Sequence, residues 1–165
     1  MSEMTIAQAL RHAKKLKGRI DEARARAVAS VNYLKASTPP FRFDEQMARA
    51  NKAGSELAEL QGLLAVANAT NTVTHDGHEV TLAHAVRLLQ ELKGRLAWLR
   101  GMSVKPAAVT GEQSLIYAAG GHQTIIQEVA CDLPEATKAD LVDKIQDQFD
   151  ALNGAVEALN QTVRI

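Results

Sequence analysis

Three histidines that lie close together in the chain are the residues best suited to chemistry. His75 and His78 flank Asp76-Gly77, and His84 follows shortly after Glu79. Neutral imidazoles are common ligands of zinc and other transition metals, and carboxylates can complete such a set. The spacing matches no standard zinc signature, and the alternative is a set of polar histidines on an exposed ribbon. We expect no resident cofactor, with a metal site at His75, His78 and His84 as the alternative.

Other reactive residues form weaker patterns. Cys131 is the only cysteine and has His122 nearby in sequence, but no second signature residue completes a triad. Lys17-Gly18-Arg19 and Lys93-Gly94-Arg95 resemble twin anion sites. Neither begins a helix, where phosphate is held, and their glycines are more typical of close helix crossing. We therefore predict no catalytic residue and expect a protein that is not an enzyme.

The composition limits the classes of partner and compartment. Lys plus Arg number 19, as do Asp plus Glu, so the chain has no net positive charge to attract nucleic acid. Nucleic acid is therefore not expected as a partner. No apolar run approaches the roughly 20 residues of a membrane-spanning helix. The single cysteine and the lack of a signal peptide are typical of a cytoplasmic protein.

Charge is unevenly distributed although it sums to zero. Residues 1–36 carry eight basic and three acidic side chains, whereas residues 132–165 carry seven acidic and three basic ones. Complementary flanks of this kind select which helices pair, within a chain or between chains. The alternative is contact of the basic helix with RNA or an anionic membrane surface, through Arg11, Lys14, Lys15, Arg24 and Arg26.

The secondary-structure elements that must position these residues are predicted to be mainly helices, because apolar residues recur three and four positions apart along the chain. A first helix is predicted from the capping box Thr5–Gln8 to just before Pro39-Pro40. Its coiled-coil seam is Ile6, Ala9, Ala13, Leu16, Ile20, Ala23, Ala27, Ser30 and Leu34. A second helix, with Asp44 as N-cap, is expected to return antiparallel and to bury an apolar stripe of Met47, Ala50, Leu57, Leu60, Leu64 and Ala67. It is expected to end near Asn68 and Asn71, whose side chains are typical of helix ends.

An internal repeat relates the two halves of the chain. Residues 4–20 and 80–96 align at an offset of 76, which superposes two Thr-x-Ala-x-Ala-x-Arg stretches and two copies of Leu-Lys-Gly-Arg. Asn68 similarly aligns with Asn160. We interpret this as two duplicated helical hairpins, residues 4–72 and 80–165, each of which exposes an apolar face that another hairpin covers.

Two short β-hairpins are predicted in the connections. Residues 72–80 alternate around Asp76-Gly77, which is a strong two-residue turn signal. Residues 114–119 and 122–129 flank Gly120-Gly121, and the segment 132–135 then opens the fourth helix.

Four segments of the chain resemble the septicolysin-like family of small bacterial helical proteins. They are residues 57–71, the Asp-Gly turn, the stretch Thr81-Leu82-Ala83-His84-Ala85 and the ending Glu157-Ala158-Leu159-Asn160. The family has an Arg-Asp pair where this chain has Leu89-Gln90. The resemblance implies an all-helical architecture, and the family name implies a cytolysin.

We predict a single all-α domain spanning residues 1–165, a bundle of two duplicated antiparallel hairpins with coiled-coil-like seams and two short β-hairpins. The predicted function is a non-enzymatic homo-oligomeric scaffold or interaction protein. The alternatives are a membrane-active, cytolysin-like protein and a metal-dependent enzyme that uses the three histidines.

Overall fold

A computed structural model describes residues 3–34, 37–104, 112–118, 121–127 and 132–165. The described chain is mostly helical. In order, the elements are α1 (Ile6–Ala29), α2 (Phe43–Thr70), β1 (Thr72–His75), β2 (His78–Thr81), α3 (Leu82–Gly101), β3 (Glu112–Ala118), β4 (Gly121–Gln127) and α4 (Glu135–Thr162). Within the described ranges, no helix combines the length and the apolar character needed to cross a membrane.

The chain forms two compact units. The first unit contains Met1–Arg87 and Leu152–Ile165, and the second contains Leu88–Ala151. The unit boundaries fall inside α3 and α4, so they do not follow the boundaries of the sequence repeat.

Helix α1 begins at the predicted capping box. The backbone N–H of Gln8 donates to Thr5 Oγ1 at 3.2 Å, and the N–H of Thr5 donates to Gln8 Oε1 at 2.9 Å. Each residue therefore satisfies a backbone donor that the first turn leaves unpaired. The seam that follows is buried from Ile6 to Ser30, as predicted, and four of its members are alanines: Ala9, Ala13, Ala23 and Ala27.

The end of α1 differs from the prediction. The helix ends at Ala29 with Ser30 as C-cap, and it does not continue to the Pro39-Pro40 pair. Ser30 Oγ donates to the Arg26 carbonyl at 2.8 Å, and Val31, Asn32 and Tyr33 all have modest helix propensity. Leu34, the last predicted seam residue, is consequently 80% exposed.

Helix α2 packs antiparallel on α1 within the first unit. Its N-cap is Arg42, which makes no side-chain cap bond, so the prediction of Asp44 as N-cap was wrong. Asp44 instead lies in the first turn, where its carboxylate is close to the positive end of the helix dipole. Four residues of the predicted stripe are buried, namely Ala50, Leu60, Leu64 and Ala67, whereas Met47 and Leu57 are half-buried. Ala53 and Gln46, which were not predicted, are also buried.

The two ends of the described chain meet in the first unit. The Met4 N–H donates to the Ile165 carbonyl at 3.3 Å, and the Ile165 N–H donates to the Met4 carbonyl at 2.9 Å. The N–H of Ile6 donates to Val163 at 3.0 Å, and Leu152 and Val156 of α4 are buried. The last part of α4 thus belongs to the same core as the start of α1.

In the second unit, the end of α3 lies beside the beginning of α4. Arg100 Nη2 donates to Gln146 Oε1 at 2.9 Å, and Lys138 Nζ donates to the Met102 carbonyl at 2.8 Å. The buried apolar residues of the unit are Leu92, Leu96, Leu99 and Ile145. Strands β3 and β4 pair antiparallel, with Ala118 opposite Gly121, which confirms the predicted second β-hairpin.

Candidate functional site

The first β-hairpin forms as predicted around Asp76-Gly77. Strands β1 and β2 pair antiparallel, with His75 opposite His78. Asp76 and Gly77 have φ values of 49° and 79°, so both occupy the left-handed region that a tight two-residue turn requires. The turn therefore places the two histidines side by side at the tip of the ribbon.

The third histidine lies on a different element. His84 is exposed in the first turn of α3, where its backbone N–H donates to Thr81 Oγ1 at 3.3 Å. His75 Nε2 is 3.6 Å from Asp76 Oδ2, and the His78 side chain is exposed. No group of three or more His, Cys, Asp or Glu side chains among the described residues is arranged to hold a metal ion. The metal site at His75, His78 and His84 stays a prediction.

Asn71 has the structural role that its position indicated. It caps the end of α2, and its Nδ2 donates to the Ala67 carbonyl at 2.8 Å while its own carbonyl accepts from the Leu82 N–H. The side chain thus satisfies a carbonyl at the helix end and joins α2 to the start of α3.

The glycines of the two Lys-Gly-Arg copies do not mark a close helix crossing. A Cβ atom built on Gly18 or Gly94 would meet no described atom within 4 Å, so the expectation of close packing there was wrong. Both glycines are exposed. The Cys131–His122 pattern lies outside the residues whose side chains the structure describes.

The most conspicuous surface lies at the end of the first unit where α1 stops and α2 starts. Five large apolar side chains are exposed there, with Leu34 at 80% and Val28 at 73% exposure. We call this surface the apolar end: Val28, Val31, Tyr33, Leu34 and Phe43. Four of these residues precede Pro39-Pro40 and Phe43 follows it, and this accumulation of apolar residues around the proline pair is the sequence signal that could have identified them.

The charged flanks of α1 and α4 are exposed. The basic side chains Arg11, Lys14, Lys15, Lys17, Arg19 and Arg24 of α1 are exposed, as are the acidic side chains Glu135, Asp140, Asp143, Asp147, Asp150 and Glu157 of α4. One copy of the chain therefore presents surfaces of both signs, which is the pattern needed for electrostatic pairing between copies.

Comparison with protein-family models, with curated proteins and with solved structures finds no match to this chain. The resemblance to the septicolysin-like family therefore stays a prediction.

Proposed function

We propose that the protein is a non-enzymatic homo-oligomeric scaffold or interaction protein, built from two duplicated helical hairpins. The observation that carries the proposal is the apolar end, where five large apolar side chains face solvent within a short stretch of chain. Exposed apolar surface is costly in water, and where it is concentrated it usually marks a site of association.

The partner that fits best is a second copy of the same chain. Burial of Val28, Val31 and Leu34 between copies would remove apolar surface from water. The exposed basic flank of α1 and acidic flank of α4 supply complementary charges for such pairing. The two features act differently, because apolar burial provides affinity while charge complementarity selects orientation and partner.

The test is the mass of the protein in solution, measured by size-exclusion chromatography with light scattering over a range of concentrations. We expect the wild-type chain to exceed its monomer mass of 17.8 kDa. The double variant Val28→Ser, Leu34→Ser should dissociate at concentrations at which the wild type is assembled, since it removes two exposed apolar side chains without touching the core.

Val66→Ser is the matched control. Val66 is also an exposed helical valine of the first unit, at 62% exposure, but it lies on α2 away from the apolar end. It should leave the assembly unchanged. A wild-type chain that stays monomeric at high concentration, or a Val66→Ser variant that dissociates as readily as the double variant, would contradict the proposal.

The apolar end also bears on the cytolysin alternative, because exposed apolar side chains at the end of a hairpin are what a membrane-active protein would insert into lipid. Release of a trapped dye from liposomes distinguishes the two functions. Leakage that is lost in the Val28→Ser, Leu34→Ser variant would favour the cytolysin, and no leakage at micromolar protein would favour the scaffold.

A further inference from the structure

The two β-ribbons of the chain differ in how their free edges are protected. Each ribbon has two strands among the described residues, so each strand has one edge whose N–H and C=O groups no described strand pairs. The β1–β2 ribbon has strands of only four residues, and Val73 on β1 is buried. Short edge strands of this kind are a common protection against pairing with another chain.

The β3–β4 ribbon lacks that protection. Its strands have seven residues each and pair over their whole length, from Glu112 opposite Gln127 to Ala118 opposite Gly121. The two strands contain no proline, lysine or arginine, and Glu112 is their one acidic residue. A two-stranded ribbon is marginally stable in water by itself, and a long edge without charges is where a further strand adds.

Strand β4 has the edge that is better suited to a further strand. Its sequence, Gly-His-Gln-Thr-Ile-Ile-Gln, contains no Asp, Glu, Lys or Arg, whereas β3 begins with Glu112. Thr124, Ile125 and Ile126 are consecutive β-branched residues, which favour extended backbone. Because a charge on an edge strand opposes pairing with another strand, the free edge of β4 is the one at which a third strand is expected.

The register of the ribbon identifies the backbone groups on that edge. Two residues separate Ala118 from Gly121, and the pair that flanks a two-residue connection is hydrogen-bonded across the ribbon. Hydrogen-bonded and non-hydrogen-bonded pairs then alternate along antiparallel strands. His122, Thr124 and Ile126 are consequently in non-hydrogen-bonded pairs, and their N–H and C=O groups point away from β3. These three residues are evenly spaced about Thr124, the middle residue of β4.

A second copy of β4 matches this edge. A two-fold axis at Thr124 places that residue opposite Thr124 of the second copy, and His122 opposite Ile126 of the second copy. In this register the residues whose N–H and C=O groups point outward bond to one another, and no like charges face each other. We propose that the β4 edges of two copies pair antiparallel and form a four-stranded sheet in the order β3–β4–β4–β3. This inference rests on the proposed homo-oligomeric function and adds a contact that is distinct from the apolar end.

Cysteine cross-linking tests the register. Thr124→Cys and Leu115→Cys are each made together with Cys131→Ser, because Cys131 is the only native cysteine. Leu115 is the matched control, since it is directly opposite Thr124 within the ribbon but lies on β3. In the proposed sheet, the two Cα atoms of residue 124 lie within the roughly 4.4–6.8 Å that a disulfide spans. The two Cα atoms of residue 115 are three strand spacings apart, or about 14 Å, which is too far for a disulfide.

The cross-linking outcome is read on a non-reducing gel after mild oxidation at micromolar protein. Thr124→Cys should give a band of twice the monomer mass, whereas Leu115→Cys should stay at the monomer mass. A doubled band from Leu115→Cys alone would place the contact at β3. That result, equal bands from both variants, or no doubled band from either would overturn the proposal.

Amide hydrogen exchange measured by NMR tests the hydrogen bonds without a substitution. At a concentration at which the wild type is assembled, the amides of His122, Thr124 and Ile126 should be protected by bonds to the second copy. They should exchange about tenfold or more slowly than the amides of Leu115 and Tyr117, which point away from β4 at the outer edge of the proposed sheet. Equal exchange at the two edges would contradict the proposed sheet.

Failure of this inference is distinguishable from failure of the proposed function. A wild-type chain that light scattering shows to be monomeric overturns both. An oligomeric wild type whose Thr124→Cys variant does not cross-link keeps the homo-oligomeric function and overturns only the β4 contact.

Discussion

At the scale of single residues, the turn of the first β-hairpin shows how backbone conformation selects an amino acid. Gly77 has a φ of 79°, and a Cβ at this position would meet no described atom within 4 Å. The constraint at Gly77 is therefore conformational and not steric. Residues with a Cβ rarely adopt this region because the side chain approaches the backbone carbonyl.

Two glycine substitutions should consequently have opposite effects. Gly77→Ala is expected to lower the free energy of unfolding by about 1 kcal/mol, because alanine is strained at positive φ. Gly62→Ala is expected to raise it by about 0.5–1 kcal/mol, since Gly62 is exposed within α2 and has open space around it. Urea unfolding followed by circular dichroism measures both. A stabilised Gly77→Ala variant would show that the turn is not held in the left-handed conformation.

Gln46 is a buried polar residue that the sequence pattern of α2 did not indicate. The spacing of apolar residues along α2 indicated its buried face through Ala50, Leu60, Leu64 and Ala67, but a pattern of apolar residues cannot reveal a glutamine on that face. Only the packing of α1 against α2 shows that Gln46 is buried and that its oxygen has no described partner.

At the scale of elements, α1 is the helix whose sequence pattern is clearest. Its seam is nearly all buried, and its frequent alanines allow close approach of a neighbouring helix. Leu16 lies in the middle of the seam and is fully buried. Most of the stability of a helix of this kind comes from the packing of such a face.

Truncation of a buried seam residue should therefore lower the free energy of unfolding far more than truncation of an exposed residue of the same helix. Leu16→Ala is expected to lower the free energy of unfolding by about 2–5 kcal/mol, because it leaves a cavity in the core. Leu10→Ala, at a half-exposed position of the same helix, should cost less than about 1 kcal/mol. Chemical denaturation of both variants gives the comparison. Equal losses would mean that the buried face of α1 is not the one described.

The end of α1 could not be predicted from the seam alone. The three–four spacing continues to Leu34, yet the helix ends at Ala29, where Ser30 bonds back to Arg26 and residues of modest helix propensity follow. Beyond that point a helix needs a packing partner to offset its weak propensity. Leu34 is 80% exposed, so no described residue covers it enough to provide that stabilisation.

At the scale of the whole molecule, the assembly and the metal can be tested together. Native mass spectrometry of untagged protein, with and without a chelator, is expected to show an oligomer that carries no stoichiometric metal and that survives chelation. The physical reasons are the five exposed side chains of the apolar end and the position of His84 on a different element from His75 and His78.

One metal ion per chain, lost on chelation, would contradict this expectation and favour the metal-dependent alternative. Substitution of His78 by Ala would then be expected to abolish metal binding. Substitution of His12 by Ala is the control, because His12 lies on α1 and not on the ribbon or on α3.

The sequence by itself determined the local features of this protein. These features are the capping box at Thr5, the Asp-Gly turn, the α1 seam and the start of α4. Each depends on side chains that act on backbone a few residues away, or on the spacing of residues along one face of a single helix. These interactions are short in range, and a sequence pattern records them directly.

Only the tertiary structure decided where the helices stop packing and which polar groups they enclose. The exposure of Leu34 and Val28 and the burial of Gln46 both depend on contacts between segments that are distant in the chain. A periodic pattern specifies that a face is buried, but the neighbour that buries it, and the point at which that neighbour ends, are properties of the packed chain.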